Sequence, residues 1–292
     1  MPQFKDAAAL LPRILCGQIL KLPADITDKC EEIRLRTGRP LSLLYDGCER
    51  EVIRDWIISL DDIEAVIEKA TDASIHSVEC NISKGYLSTK GGIRIGLCGE
   101  GFYKDKGIFG LRSYSSLAIR IPHEISDCGT DKLRKAMENG LCDLIIISPP
   151  GAGKTSCLRE YVRNISNSGY RVSLIDERNE LSGMVNGVAQ FDVGSHTDIL
   201  LNIPKPDAAM MMLRAMNPQL VAMDEISSGE DVKAVEEIAG CGVKILATAH
   251  AASVSDLSMR PIYKRLFDMK IFRYAVIIEN NNGVRTYKLE EL

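Results

Sequence analysis

The sequence predicts an α/β protein in two parts: a smaller N-terminal α+β domain at residues 1–130 and a parallel-sheet domain at residues 131–292. Before residue 130, apolar and polar residues alternate in short runs separated by glycine turns, a pattern typical of β-hairpins. After residue 130, continuous apolar runs alternate with helical stretches, which is typical of strands buried on both faces of a parallel sheet. A chain of 292 residues is long enough for two such domains.

Local patterns define the N-terminal elements. Hairpins are predicted at EIRLRTGRPLSLLYDG and, around the Gly91-Gly92 turn, at GYLSTKGGIRIGLCGEG. The helical spacing of apolar residues in SLDDIEAVIEKATDAS predicts a helix with Ser59 or Asp61 as its N-cap, and a second helix is expected to run to about Ser83. SSLAIRIP is predicted to form a short strand, and the polar stretch ISDCGTD to be the linker between the domains.

The C-terminal elements alternate between helix and strand. A helix is predicted at DKLRKAMEN and a buried strand at LCDLIIIS, and the apolar runs RVSLIDE, VAQFDV, QLVAMDE and VKILATA are predicted as further strands. Helices between these runs are expected at Thr155–Asn164, Asp207–Met216 and Glu230–Ala239. The chain is expected to end in a hairpin that turns at Asn282-Gly283.

Composition argues against several classes of protein. The net charge of −4 argues against a globally basic surface for nucleic acid. No run approaches the roughly 18–20 apolar residues that a membrane span needs, and the N-terminus lacks the apolar core of a secretory signal. The nine cysteines include no C-x-x-C pair, so a compact zinc site has no support and reduced thiols in a cytoplasmic protein are expected.

The strongest chemical signal is the segment LIIISPPGAGKTSCLRE, which reads as strand, glycine-bearing loop and helix. Such a loop turns its backbone N–H groups inward around phosphate oxygens, and the helix N-terminus adds partial positive charge. Lys154 is expected to bridge the β- and γ-phosphates, and Thr155 to supply a hydroxyl to Mg²⁺. Ser148 stands where the G-x-x-x-x-G-K-[ST] pattern has its first glycine. The predicted nucleotide-binding residues are Pro150, Gly151, Ala152, Gly153, Lys154, Thr155 and Ser156.

Three other predicted strands end in polar residues that suit this loop. QLVAMDE ends in Asp224, a candidate Mg²⁺ ligand through water, and Glu225, a candidate for polarising the attacking water. LIDERNE carries Asp176 and Glu177, which could include the general base. ILATAH ends in His250, which could sense the γ-phosphate. The alternatives are structural: an acidic N-cap for Asp224 and Glu225, a solvated turn for the second pair, and a packed histidine.

The four elements SPPGAGKTS, LIDERNE, LVAMDEI and ATAH occur in the order found in the secretion and pilus-motor ATPases, and the chain resembles that type II/type IV superfamily. In those proteins they are the Walker A loop (the P-loop), an acidic box, Walker B and a histidine box. With EIRLRTGRPLSL, SLAIRIP and MMMLRAM, the chain is most similar to the stage III sporulation AA family of endospore-forming bacteria. The resemblance runs from about Glu31 to the C-terminus.

The resemblance implies a RecA-type P-loop core with a flexibly joined N-terminal domain, assembled as a hexameric ring that binds ATP and Mg²⁺. Arg94, Arg112 and Arg120, on strands of the N-terminal domain, are the candidates for arginine fingers. Asp224 stands where the secretion ATPases usually have glycine. The resemblance also implies a cytoplasmic protein on the mother-cell side, bound to an inner-membrane component of a sporulation channel.

The function that these features favour is a motor ATPase that energises a membrane channel or secretion complex during endospore formation. Two alternatives remain open. The same core drives nucleic-acid-coupled ATPases, although the acidic charge balance counts against DNA or RNA as a partner. A non-catalytic scaffold could instead use bound nucleotide only to lock a ring.

Overall fold

The computed structural model describes residues 2–71, 85–104, 107–122, 128–281 and 284–292, and the side chain of Arg112 is not among those described. The chain forms two compact units, unit 1 (Met1–His123 with Gly183–Gln190) and unit 2 (Glu124–Ser182 with Phe191–Leu292). Unit 1 gives way to unit 2 after residue 123, close to the domain boundary predicted at residue 130. The sequence did not predict that residues 183–190 belong to unit 1. The predicted helix to Ser83, residues 125–127 of the predicted linker ISDCGTD and the Asn282-Gly283 turn lie outside the described residues. The last two linker residues, Thr130 and Asp131, already belong to a helix.

Unit 1 contains a six-stranded sheet in the order β3-β2-β1-β6-β5-β4, with the neighbouring strands antiparallel. Both predicted hairpins are present, β1–β2 and β4–β5, and the second turns through a short 3₁₀ segment at Lys90–Gly92. The strands are β1 (Cys30–Arg36), β2 (Pro40–Tyr45), β3 (Cys48–Ile57), β4 (Tyr86–Ser88), β5 (Arg94–Lys104) and β6 (Gly107–Arg120). The helices are α1 (Pro2–Ala9), α2 (Arg13–Ile19), α3 (Ala24–Thr27) and α4 (Leu60–Thr71).

One face of the unit 1 sheet forms its core. Along β1 the apolar residues Ile33 and Leu35 are fully buried, while the intervening residues are half-exposed, as the period of two requires. The amphipathic helix α4 contributes Ile63 and Val66 to the same core. Ser59 is its N-cap, since the Ser59 hydroxyl accepts from the amide of Asp62 at 3.1 Å.

Unit 2 contains a seven-stranded sheet in the order β13-β12-β7-β11-β10-β8-β9. All neighbours from β12 to β9 are parallel, and only β13 is antiparallel. The strands are β7 (Leu144–Ser148), β8 (Val172–Asp176), β9 (Thr197–Leu201), β10 (Leu220–Glu225), β11 (Lys244–His250), β12 (Tyr274–Asn281) and β13 (Val284–Glu291). The helices are α5 (Thr130–Ala136), α6 (Lys154–Asn167), α7 (Lys205–Ala215), α8 (Gly229–Gly240), α9 (Val254–Met259) and α10 (Pro261–Asp268).

Burial explains why the central strands could be identified from sequence. Every residue of β7 and β8 is buried, which matches continuous apolar runs covered by helices on both faces. The helix α6 packs against the sheet through fully buried side chains, including Leu158, Tyr161 and Val162. No helix in the part of the chain that the structure describes is long and apolar enough to cross a membrane.

The prediction of a strand at VAQFDV is wrong. Those residues form a loop, and the strand next to β8 is β9, at TDILL. Val188 is 63% exposed, so the run does not bury its apolar residues as a strand in the sheet would. Gly194, directly after the run, has a φ of 89°, so the chain turns there. β9 is an edge strand whose residues are all half-buried. It begins with the polar residues Thr197 and Asp198, so its sequence lacks the continuous apolar run that indicates a buried strand.

Candidate active site

Four parallel strands bring their carboxyl ends to one edge of the unit 2 sheet. β7 ends at Ser148, β8 at Asp176, β10 at Glu225 and β11 at His250. The register pairs His250 with Ser148 and Glu225 with Thr248, so these three strands end at nearly the same level. Ligands bind outside the carboxyl ends of strands in open α/β sheets, so this edge is the candidate site.

The P-loop backbone requires glycine at two positions. Gly151 and Gly153 have φ values of 75° and 100°, a region that side chains with a Cβ rarely adopt. The helix α6 begins at Lys154, directly after the loop, so its first N–H groups remain available to an anion. Ser148 is fully buried and donates a hydrogen bond to the carbonyl of Pro149 at 2.9 Å. Because the positive φ values lie at Gly151 and Gly153, serine at position 148 is compatible with the loop.

Lys154 is folded back onto the loop and contacts the histidine strand. Its Nζ lies 2.7 Å from Nδ1 of His250 and donates to the carbonyl of Ser148 at 3.3 Å. Burial lowers the pKa of Lys154 to about 8, and the charge of Glu225 opposes this shift. The lysine therefore has a desolvated ammonium group that gains from an anionic partner.

His250 connects the P-loop lysine to the end of β10. The Lys154 ammonium group can only donate, so Nδ1 of His250 accepts and the ring proton is assigned to Nε2. Nε2 lies 3.4 Å from Oε2 of Glu225. Arg260, the residue between α9 and α10, donates to the backbone carbonyl of His250 at 2.6 Å and so fixes the strand end. Lys154, His250 and Glu225 thus form one chain of contacts across three elements.

The two acidic-box residues differ in their surroundings. Asp176 is fully buried, and its carboxylate accepts hydrogen bonds from the amides of Glu180, Leu181 and Ser182 and from the Ser182 hydroxyl, at 2.7–3.2 Å. These bonds hold the loop after β8 in place. Glu177, the next residue, is 38% exposed in its side chain. Of the pair, Glu177 is therefore the residue available to a ligand.

Arg159 of α6 supports the same loop from its other side. Its guanidinium donates to the carbonyls of Leu181 at 2.7 Å and Glu180 at 2.8 Å, and it stacks on the Phe191 ring at 3.8 Å. The helix that begins at the P-loop is thereby tied to the acidic box. Sequence analysis missed this residue, because a single arginine on a helix gives no signal of its partners.

Lys205 is a second residue that sequence analysis missed. It is the first residue of α7, its side chain is only 5% exposed, and its Nζ lies 3.0 Å from Glu177 and 3.1 Å from Asp224. Burial opposes its charge, but Asp224 and Glu177 outweigh burial and raise the pKa of Lys205. A charged lysine therefore joins the acidic box to the end of β10.

The residues at this edge fit a magnesium ion. Asp224 is 17% exposed, and its buried Oδ1 lies 3.1 Å from Nζ of Lys205. Burial raises the pKa of Asp224 to about 6, against the effect of Lys205. Thr155 is half-buried on the first turn of α6. Mg²⁺ in nucleotide sites takes a few protein oxygens, with phosphate and water oxygens completing its shell, so a carboxylate and a hydroxyl suit it.

The C-terminal hairpin also reaches the P-loop. Arg285 of β13 donates from Nε to the carbonyl of Ala152 at 3.0 Å. Because β13 pairs with β12, which itself pairs with β7, the loop is braced by a residue two strands away. This contact was also not predicted, since it depends on the order of strands in the sheet.

The candidate arginine fingers belong to unit 1. Arg94 of β5 and Arg120 of β6 are directly paired in register. Arg120 lies 3.2 Å from Glu32, and Arg94 stacks on the ring of Tyr86 at 3.8 Å. The side chain of the third candidate, Arg112, lies outside the described residues.

Comparison with known proteins identifies relatives along nearly the whole chain. The family model described as "Sporulation stage III, protein AA" matches residues 7–288. Stage III sporulation protein AA of Bacillus subtilis (strain 168) is 32% identical over 287 residues, which cover 96% of this chain and 92% of that protein.

Solved structures show the fold. The pilus retraction motor PilT, crystallised with bound ADP, matches this chain with a TM-score of 0.63 at 16% identity. The match covers 94% of this chain and 82% of the PilT chain. The ATPase DotB of Legionella pneumophila has a TM-score of 0.60 at 14% identity and covers 98% of this chain and 78% of its own. The predicted RecA-type P-loop fold is therefore confirmed, and the chain belongs to the sporulation stage III protein AA family.

Proposed function

We propose that this protein is a Mg²⁺-dependent ATPase of the secretion-motor type that works as a homo-oligomer, expected to be a hexamer. The observation that carries the proposal is the contact chain at one sheet edge, in which the P-loop lysine Lys154 lies 2.7 Å from His250 and His250 lies 3.4 Å from Glu225. The P-loop lysine, the acidic end of β10 and a histidine are thus in contact around one position.

Lys154 supplies the positive charge for the phosphates. In the described state its Nζ is shared among the oxygens of Ser148, the carbonyl of Pro149 and His250, at 2.7–3.4 Å. Phosphate oxygens are stronger acceptors for an ammonium group than neutral carbonyls, so ATP would draw Lys154 out of these contacts. The N–H groups of the P-loop and of the first turn of α6 would complete the phosphate site.

Glu225 is the proposed residue that orients the attacking water. The water oxygen bonds to the γ-phosphorus, the bond between that phosphorus and the bridging oxygen of ADP breaks, and phosphate leaves. Glu225 would hold the water by accepting its hydrogen bond, and its side chain, 30% exposed, lies at the open edge of the sheet. Bound Mg²⁺ would neutralise phosphate charge there, held by Thr155 and, through water, by Asp224.

The remaining acidic-box and histidine residues have distinct proposed roles. Asp176 holds the loop after β8, and Glu177 stands at the site as the second carboxylate. His250 contacts both Lys154 and Glu225, so movement of Lys154 toward a phosphate would release the histidine to act as a sensor of the nucleotide. Arg94 and Arg120 are proposed to act on the nucleotide within the oligomer.

The biological setting is proposed from the family. Membership in the sporulation stage III protein AA family supports a role in endospore formation, in which the ATPase energises a channel or secretion complex in the membranes around the forespore. We place the protein on the mother-cell side, bound to a membrane component of that complex. Nucleic acid is not expected to stimulate turnover.

Replacing Lys154 by alanine tests the proposal. The Lys154→Ala protein is expected to bind ATP at least about a hundredfold more weakly and to release no phosphate, because one charge-assisted contact of roughly 3 kcal/mol is lost. ATP binding is measured by calorimetry and turnover by a phosphate-release assay. Lys264→Ala is the matched control, because Lys264 is exposed on α10, outside this site.

Two outcomes would contradict the proposal. Phosphate release by Lys154→Ala at the wild-type rate would mean that the P-loop is not the site of hydrolysis. Nucleotide-dependent assembly of the wild-type protein with no phosphate release, in the presence of its membrane partner, would favour a non-catalytic ring scaffold.

A further inference from the structure

Lys205 is a buried lysine placed between two carboxylates of the candidate active site. Its side chain is 5% exposed, and Nζ lies 3.0 Å from Oε2 of Glu177 and 3.1 Å from Oδ1 of Asp224. Proline precedes it at the N-cap position and follows it at Pro206, so the backbone that carries Lys205 is stiff where the side chain enters the site.

The local charge balance depends on this lysine. Asp176 is compensated by three backbone amides and a hydroxyl, as its hydrogen bonds show. Glu177 and Asp224 have Lys205 between them, with weaker influence on Asp224 from the exposed Arg178. Asp231 also faces Lys205, but its carboxylate accepts from the amides of Ser227 and Ser228.

Lys205 lies close to a position that a divalent cation would need. Asp224 Oδ1 is buried, and among the residues that the structure describes the cation paired with it is Nζ of Lys205, at 3.1 Å. A divalent cation that approached this oxygen would meet a fixed positive charge within a few ångströms, at a site shielded from water. Such like-charge contact is strongly unfavourable unless Nζ moves away or further negative charge arrives.

We propose that Lys205 is a positioning residue that holds Asp224 and Glu177 together in the nucleotide-free protein and thereby prevents a divalent cation from binding there before the nucleotide. The phosphates of ATP bring the negative charge that lets metal and lysine share the site. This inference rests on the proposed function of the same site, and it makes the metal–nucleotide complex, rather than the free metal, the species that binds.

The test measures Mn²⁺ binding to the whole chain without nucleotide. The electron paramagnetic resonance signal of free Mn²⁺ reports how much of the metal remains unbound. Wild-type protein is expected to bind Mn²⁺ weakly. Lys205→Met, which keeps the length of the side chain and removes its charge, is expected to bind Mn²⁺ about tenfold more tightly or better, because the repulsion is gone and two carboxylates remain.

A matched control separates this effect from a general change in charge. Lys244→Met removes a lysine that pairs with Asp143 at 2.7 Å at the opposite end of the same sheet, and it is expected to bind Mn²⁺ as the wild type does. Lys205→Met/Asp224→Asn is expected to lose the gained affinity, which assigns the Mn²⁺ to Asp224 rather than to other surface carboxylates.

Two results would overturn the inference: tight Mn²⁺ binding by the nucleotide-free wild type, or no gain in affinity in Lys205→Met. If Lys205→Met is too unstable to purify, the double variant decides, because neutralising Asp224 as well should restore stability. A double variant no more stable than the single one would overturn the inference. None of these measurements involves turnover, so a failed ATPase assay leaves their outcome intact.

Discussion

Replacing Asp176 by alanine distinguishes a structural from a catalytic role for the first acidic-box residue. The carboxylate is fully buried and accepts four hydrogen bonds, three of them from the backbone of Glu180, Leu181 and Ser182. Alanine would leave the three backbone amides without an acceptor, whereas the Ser182 hydroxyl also lies 3.3 Å from Oδ1 of Asn179. Leu181 and Ser182 are themselves fully buried, so water reaches their amides only if the loop opens.

The magnitude follows from the number of orphaned donors. An unsatisfied buried donor costs about 1–3 kcal/mol, and local opening of the loop favours the lower value. Three amides at about 1 kcal/mol each give a loss of about 3 kcal/mol in the free energy of unfolding. For a unit of this size that loss lowers Tm by about 6–12 °C.

The assay is thermal and urea unfolding followed by far-ultraviolet circular dichroism, with ATP binding measured on the same samples. Glu177→Gln is the matched comparison, because Glu177 is the adjacent carboxylate and is 38% exposed. It is expected to lower the rate of phosphate release with a much smaller loss of stability. Asp176→Ala with wild-type stability, normal ATP binding and no turnover would refute the structural role and make Asp176 a catalytic residue.

Two further predictions concern backbone packing and turnover. Gly194→Ala is expected to lower the free energy of unfolding by about 3 kcal/mol, because the φ of Gly194 is 89° and the new Cβ would lie 2.5 Å from Ser166 Cβ. Gly242→Ala is expected to cost only about 1 kcal/mol, because Gly242 has a similar φ of 74° but open space around it. Urea unfolding compares the two variants, and equal losses would contradict the packing argument. Glu225→Gln is expected to bind ATP with near wild-type affinity and to release phosphate about 10²–10⁴-fold more slowly, and unchanged turnover in the phosphate assay would exclude Glu225 as the residue that orients the water.

Much of the site could be predicted because parallel strands place their carboxyl ends at one edge of a sheet. Once the apolar runs before Ser148, Glu225 and His250 are recognised as buried strands, their last residues must be neighbours. The contact between Lys154 and His250, 96 residues apart, follows from that geometry.

The residues that were missed act through long-range contacts from isolated positions. Lys205 stands alone at the start of a helix, 28 residues from its partner Glu177. Arg285 reaches Ala152 across 133 residues, because β12 places the C-terminal hairpin beside β7. No local spacing indicates such partners, since they depend on strand order.

Two predictions needed the tertiary structure for their correction or refinement. VAQFDV has a strand-like composition, but Gly194 turns the chain directly after it and Val188 stays exposed. From the sequence, the two acidic-box carboxylates, Asp176 and Glu177, could not be distinguished. Only the hydrogen bonds of the loop after β8 show that Asp176 faces inward while Glu177 remains open to the site.

Phosphate release from ATP by the purified full-length protein tests hydrolysis at this sheet edge most directly. It should be measured with Mg²⁺, with a chelator in place of Mg²⁺, and with Lys154→Ala as the inactive reference. Release is expected in the wild type with Mg²⁺ and at background level in the other two. Mg²⁺-independent release, or equal release by Lys154→Ala, would contradict the assignment of this site as an ATPase centre.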